Sequence, residues 1–188
     1  MTVEEIFSRL STHMAKGLMI HNQIANGFGF LNLYGYRRCH EYHYFEESKN
    51  YFCLRNYYFD NYGKLIPENS IGEVNIVPQL WYKYTKSDVD IATKRKEIRN
   101  LFEHWINWEI EAKKLFETSY KELIELGEIA AALKISDFLR ETSHELSVAQ
   151  SKQIYLASAD YDMTLISEEQ SHLYKKYNKE IEGEEEND

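Results

Sequence analysis

The sequence predicts an all-α chain, with four long helices forming a bundle and a single long connection between the second and the third. Three observations carry this expectation. Both prolines, Pro67 and Pro78, fall in one short stretch, and residues 1–66 and 79–188 contain none. A helix interior excludes proline at a cost of about 3 kcal/mol, because the ring removes a donor and clashes with the preceding turn. The two proline-free blocks carry apolar residues at helical spacing, over lengths that suit a pair of helices each. The segment 64–90 between them is too long for a tight turn, but a connection running the length of a bundle needs about that much chain.

The first helix is expected over residues 3–33. Ile6, Leu10, Met14, Leu18, Ile24, Ala25, Phe28 and Leu31 recur on one face, and Thr2 with Glu5 three residues later forms a capping box. Gly27, Gly29 and Gly35 weaken its end, and with no strand before it the NGFGF run is not a phosphate loop. The second helix is expected over 37–62, stopped by Gly63. It is unusually aromatic: Phe45, Phe52 and Phe59 stand at heptad spacing beside Tyr44, Tyr51, Tyr58 and Tyr62, a pattern that suits core packing or an electron relay. Residues 64–90, with Pro67, Gly72, Pro78 and Trp81, form the crossover.

The third helix is expected over 93–126, with Ile98, Leu101, Trp105, Trp108, Ala112, Leu115, Phe116, Leu123 and Leu126 as its stripe. A break over 127–134 precedes a fourth helix over 135–159, with Phe138, Leu139, Leu146, Ala149 and Leu156 inward. A short fifth helix over 165–181 carries Ile166, Leu173 and Tyr177. Residues 1–182 are expected to form one domain, and the acidic tail 183–188 is disordered by composition.

The bulk numbers exclude several classes. Hydrophobic residues at 43% support a folded chain, and a net charge of −9 argues against a nucleic-acid binder, which needs a basic face. Lys94-Arg95-Lys96 is the one compact basic run and reads as a solvated helix start. Two cysteines, Cys39 and Cys53, make no disulfide framework, and Cys53 has no evident activating neighbour. The start MTVEEIF lacks the positive region of a signal peptide, which leads to the expectation of a cytoplasmic protein. Residues 17–36 lack acidic and basic side chains, yet His21, Asn22, Gln23, Asn26 and Asn32 make that stretch too polar for lipid.

Residues 121–149, KELIELGEIAAALKISDFLRETSHELSVA, resemble the end of the third helix and the fourth helix of bacterial ferritins. There an ELIELA run, a short turn and an FL pair precede a Glu-Gln pair; here stand Glu122 to Gly127, Phe138-Leu139 and Glu145-Leu146. The same register puts residues 10–18, LSTHMAKGL, on the first ferritin helix and residues 45–63 on the second, and the fifth helix matches the small final helix of cage-forming ferritins. The second resemblance is to Dps-type mini-ferritins, through residues 40–52.

The first resemblance implies an iron-storing subunit (Fe2+ oxidised to Fe3+) in a homo-oligomeric cage, with a 24-mer expected and co-assembly with a sister ferritin open. Ferritins oxidise iron at a dinuclear carboxylate and histidine centre, and in this register those ligands are largely replaced. The positions become Gly17, Ser48 and Tyr51, Lys113, and Leu146 with Val148 and Ala149. A lysine there repels a cation, so the usual centre is dismantled, and whether the chain is a ferroxidase stays open.

Other polar residues lie on the inward stripes by helical phase: His21 on the first helix, His40 and Glu47 on the second, Glu109 on the third and Glu145 on the fourth. With the first helix antiparallel to the second and third, His21, Glu47 and Glu109 fall near one level, with Glu145 nearby. Two readings remain: a relocated or remnant metal site of His21, Glu47, Glu109 and Glu145, or core polar residues paired among themselves, as Lys113 with Glu145. Glu141 and His144 have ligand spacing but a phase that points off the stripe. The functions in view are therefore a ferritin-like cage with a degenerate centre, a Dps-like protective dodecamer, and a helical assembly protein that has lost iron chemistry.

Overall fold

A computed structural model of the chain describes residues 1–67, 69–72 and 89–182. Five helices follow in order: α1 (Val3–Phe30), α2 (Tyr34–Tyr62), α3 (Ile91–Glu125), α4 (Ile129–Ser158) and α5 (Met163–Glu182). Among the described residues there is no strand. Pro78, Trp81 and most of the expected crossover lie outside the described residues, as does the tail 183–188.

Local chemistry explains the ends. Thr2 and Glu5 form the expected capping box, Glu5 N–H donating to Thr2 Oγ1 and Thr2 N–H to Glu5 Oε2. α1 ends at Phe30, three residues before the expected limit. Asn32 takes a left-handed φ of 63°, while Leu33 N–H donates to Phe28 O and Asn32 N–H to Gly29 O, closing the helix C-terminus. α2 then begins at Tyr34 rather than 37, with Gly35 inside its first turn, and ends as expected at Gly63, φ 65°. Asp90 caps α3 through Thr93 N–H, and Asp162 caps α5 through Thr164 and Leu165 N–H.

The largest boundary difference is between α3 and α4. The expected break over 127–134 is a tight turn at Gly127, φ 77°, and α4 starts at Ile129. Ala130, Ala131 and Ala132 are strong helix formers, and Ala131 and Ala132 bury completely or nearly so, which extends the helix back to the turn.

The contacts divide the chain into two compact units, and each long helix contributes to both. The first comprises residues 1–19, 46–74 and 106–150. Its core is a cluster including Ile6, Phe7, Leu10, Met14, Leu54, Tyr58, Phe116, Leu123, Ile135 and Phe138. Phe7 packs on Tyr57, Tyr58 and Tyr62, while Gly17 lies beside Glu47, so α1 and α2 run antiparallel here. Arg9 pairs with Glu122 and Ser119, while Gly17 meets Trp108, so α1 and α3 are antiparallel too. Tyr62 donates to Glu128 and Asn50 to Glu141, which sets α4 antiparallel to α2. Ser8 donates to Pro67 O and accepts from Asn69, fixing the first part of the crossover on α1.

The second unit comprises residues 20–45, 75–105 and 151–188. Its buried side chains include Ile24, Phe28, Tyr36, Phe102, Trp105 and Tyr161. The expected inward residues of the fifth helix, Ile166, Leu173 and Tyr177, are all buried. α5 is drawn close because Gly35 has no side chain: a Cβ there would fall on the Gln170 backbone. Tyr36 OH donates to Glu169, which also pairs with Lys152 at 2.7 Å.

One packing expectation reverses. The heptad Phe45, Phe52 and Phe59 are 47%, 61% and 52% exposed, so this stripe is the outer face of α2. The inward face carries Cys39, His40, His43, Leu54 and Tyr58 instead. Apolar and aromatic residues surround α2 on every side, so spacing alone could not say which side faces the core.

Candidate metal centre

In the first unit, α1, α2 and α3 converge at Gly17. A Cβ on Gly17 would lie 3.0 Å from Trp108 Cζ2 and 3.5 Å from Glu47 Cδ and Oε1. The register of the ferritin resemblance puts a carboxylate-bearing side chain at this position. Here the missing side chain leaves room for an indole, and Trp108 fills it.

The indole is held in place. His13, one turn earlier on α1, stacks on it with ring centroids 4.0 Å apart and planes 10° apart. Burial, and then the Lys16 charge, push the His13 imidazole down to about 4, so it is neutral at pH 7. Among the described residues, Trp108 Nε1 and His13 Nε2 have no hydrogen-bond partner. The uncharged rings of Trp108 and His13 thus stand at this level beside the Glu47 carboxylate. A ferroxidase centre needs several oxygen donors around hard cations, and these residues do not fit one.

The second unit holds a feature that sequence reading only half found. His21, the expected ligand, pairs with His40: their Nδ1 atoms are 3.2 Å apart, one donating and one accepting. His43 joins them, with its ring centroid 5.4 Å from that of His21 and 5.8 Å from that of His40. Trp105, Phe28 and Tyr177 line this group through ring contacts. Burial first, and then the neighbouring His21 and His43, hold His40 well below the ordinary imidazole range. The signal for His43 was present as His40-x-x-His43, two ring nitrogens one helical turn apart.

Of the four expected ligands, His21 belongs to the second unit, and Glu47, Glu109 and Glu145 to the first. His21 and Glu109 are buried, at 0% and 1% exposure, and Glu47 and Glu145 are half-buried. Each has an interacting neighbour. Among the described residues no three His, Cys, Asp or Glu side chains form a group that could hold a metal ion. Glu141 and His144 are exposed, as their phase required, and Glu141 accepts from Asn50. Among the described residues no helix is long and apolar enough to cross a membrane.

Comparison with solved structures shows what the fold is. The chain is similar to an engineered closed form of the ferritin of Archaeoglobus fulgidus, with 14% identity, 93% of this chain and 96% of that one covered, and a TM-score of 0.75. It is similar to the open-pore ferritin of the same hyperthermophilic archaeon, with 14% identity, coverage of 90% and 93%, and a TM-score of 0.74. A PmFTN variant soaked in iron gives 9% identity, coverage of 89% and 96%, and a TM-score of 0.72. No family model and no curated protein matches the sequence. The chain therefore has the ferritin-like fold: an all-α four-helix bundle with a long connection between its second and third helices and a short fifth helix.

Proposed function

We propose that this chain is the subunit of a cytoplasmic, ferritin-like homo-oligomeric cage that takes up iron as cargo and stores it as mineral. In this reading residues 1–182 are one domain, and no ferroxidase centre of the usual carboxylate kind operates in it. The supporting observation is the ferritin-like fold over 93% of the chain. The net charge of −9 agrees with it, because acidic pores and inner surfaces concentrate Fe2+ and nucleate mineral. The exposed Phe45, Phe52 and Phe59 agree as well, since apolar side chains of this size on an outer face are commonly covered by a partner.

Gel filtration followed by aerobic iron loading tests the proposal. A 24-subunit shell has about twice the mass of a dodecamer, so elution separates a ferritin cage from a Dps-like assembly. A shell that retains iron after slow, autoxidation-like loading is the expected result. A chain that assembles but holds no iron would leave only the helical assembly role, and one that stays monomeric would remove the cage.

A further inference from the structure

We infer that Tyr36 is a redox-active tyrosine: it yields one electron to a strong one-electron oxidant while its phenol proton passes to Glu169. This activity goes beyond iron storage and does not rest on it.

Tyr36, in the first turn of α2, is fully buried, and its OH donates to Glu169 Oε2 on α5. The other carboxylate oxygen, Oε1, accepts from Lys152 Nζ on α4 at 2.7 Å. Burial first, and then Glu169, hold the phenol well above its ordinary value of 10, so no phenolate stands ready to be oxidised. A phenol that loses an electron and keeps its proton becomes a radical cation, which is costly in an apolar interior. The low-energy route is therefore the one in which the proton crosses the existing hydrogen bond as the electron leaves. The products are a neutral tyrosyl radical and a carboxylic acid, and an oxidant of the hydroxyl-radical class becomes hydroxide. The Glu169 side chain is 15% exposed, so its new proton can pass on to water, which restores the ion pair with Lys152. Fe2+ or another one-electron reductant then returns the electron, and the phenol regains a proton.

The walls suit a radical that persists. Phe28 stacks on Tyr36 with ring centroids 5.1 Å apart, and Phe102 meets it edge-on at 5.7 Å. Phenylalanine is harder to oxidise than tyrosine, so these rings keep out water and a second radical without drawing the charge away. Tyr155 and Cys39 lie near enough to act on the phenol electrostatically. Tyr155 is exposed, which brings Tyr36 within short reach of an oxidant at the surface.

The test uses the full chain and flash-generated tris(bipyridine)ruthenium(III) as the oxidant, with the radical followed by electron paramagnetic resonance and by its visible absorption. Wild type is expected to give a tyrosyl signal that outlives those of exposed tyrosines. Tyr36→Phe, which keeps the ring and removes the hydroxyl, should lose the long-lived signal. Glu169→Gln still accepts a hydrogen bond but takes up no proton, and is expected to slow radical formation about a hundredfold. A wild-type chain with no long-lived tyrosyl signal overturns the inference. So does a Tyr36→Phe chain that keeps the signal, or a Glu169→Gln chain that forms it at the wild-type rate. Should a variant fail to fold, wild type in heavy water decides: the long-lived signal is expected to form more slowly, and an unchanged rate overturns the inference. Aerobic iron loading is read separately, and failure to retain iron sinks the cage reading while leaving the radical result standing.

Discussion

His13 shows how a single residue records its surroundings. Its ring lies against Trp108 and is edge-on to Phe116, where burial makes protonation costly. In the unfolded chain it takes up a proton near 6.5; in the folded chain it does so at about 4. Between these values the unfolded state binds more protons, so stability is fully present above about pH 6.5 and is lost as pH falls toward 4. For one group the slope is at most about 1.4 kcal/mol per pH unit, less here because the ring is partly exposed. His40 acts in the same direction. Urea denaturation between pH 7 and 4 is expected to lose stability less steeply in His13→Phe than in wild type; identical slopes would refute the assignment. Neither the depressed basicity nor the stacking was legible in LSTHMAKGL, because sequence gives His13 a helical phase and no partner.

At the scale of the elements, the caps and turns were written plainly. Thr2 with Glu5, and Gly63, are local signals that the sequence showed, while the caps Asp90 and Asp162, equally local, went unread and left the starts of α3 and α5 two residues late. Gly127 was legible as a break but not in its brevity. Its left-handed φ of 77° lets the chain reverse at once, and the alanines after it resume the helix. Gly127→Ala is expected to lower stability by about 1–2 kcal/mol, read by thermal denaturation.

The docking of α5 was not legible, because it depends on Gly35 meeting a backbone 135 positions away, that of Gln170. Gly35→Ala puts a methyl group onto that backbone and is expected to cost about 1–3 kcal/mol or more. Hydrogen exchange over residues 163–182 should rise in that variant; unchanged protection would show that α5 is held elsewhere, as by the Tyr36–Glu169–Lys152 contacts.

For the molecule as a whole, the outer face of α2 carries the main prediction. Phe52 and Phe59 are exposed in the single chain, and the proposed cage covers them. Phe52→Ser/Phe59→Ser is expected to reduce the assembled mass on gel filtration and to leave helix content by circular dichroism intact. A full-size shell from that variant would exclude this face from assembly. High salt is expected to weaken iron uptake by the shell, since screening of acidic surfaces removes the attraction that gathers Fe2+.

The sequence by itself determined the number of long helices, their order, and the place of the crossover, because proline exclusion, apolar spacing and capping are local effects. Its resemblance to ferritins also implies that the usual di-iron ligands are replaced, as by Gly17 and Lys113. Only the tertiary structure decided what stands in their place. That Trp108 enters the gap at Gly17, that His21 turns to His40, and that the α2 phenylalanines face outward are choices of partner. A helical period fixes the angle of a side chain about its own axis, and partners are set by packing against helices that are distant in sequence.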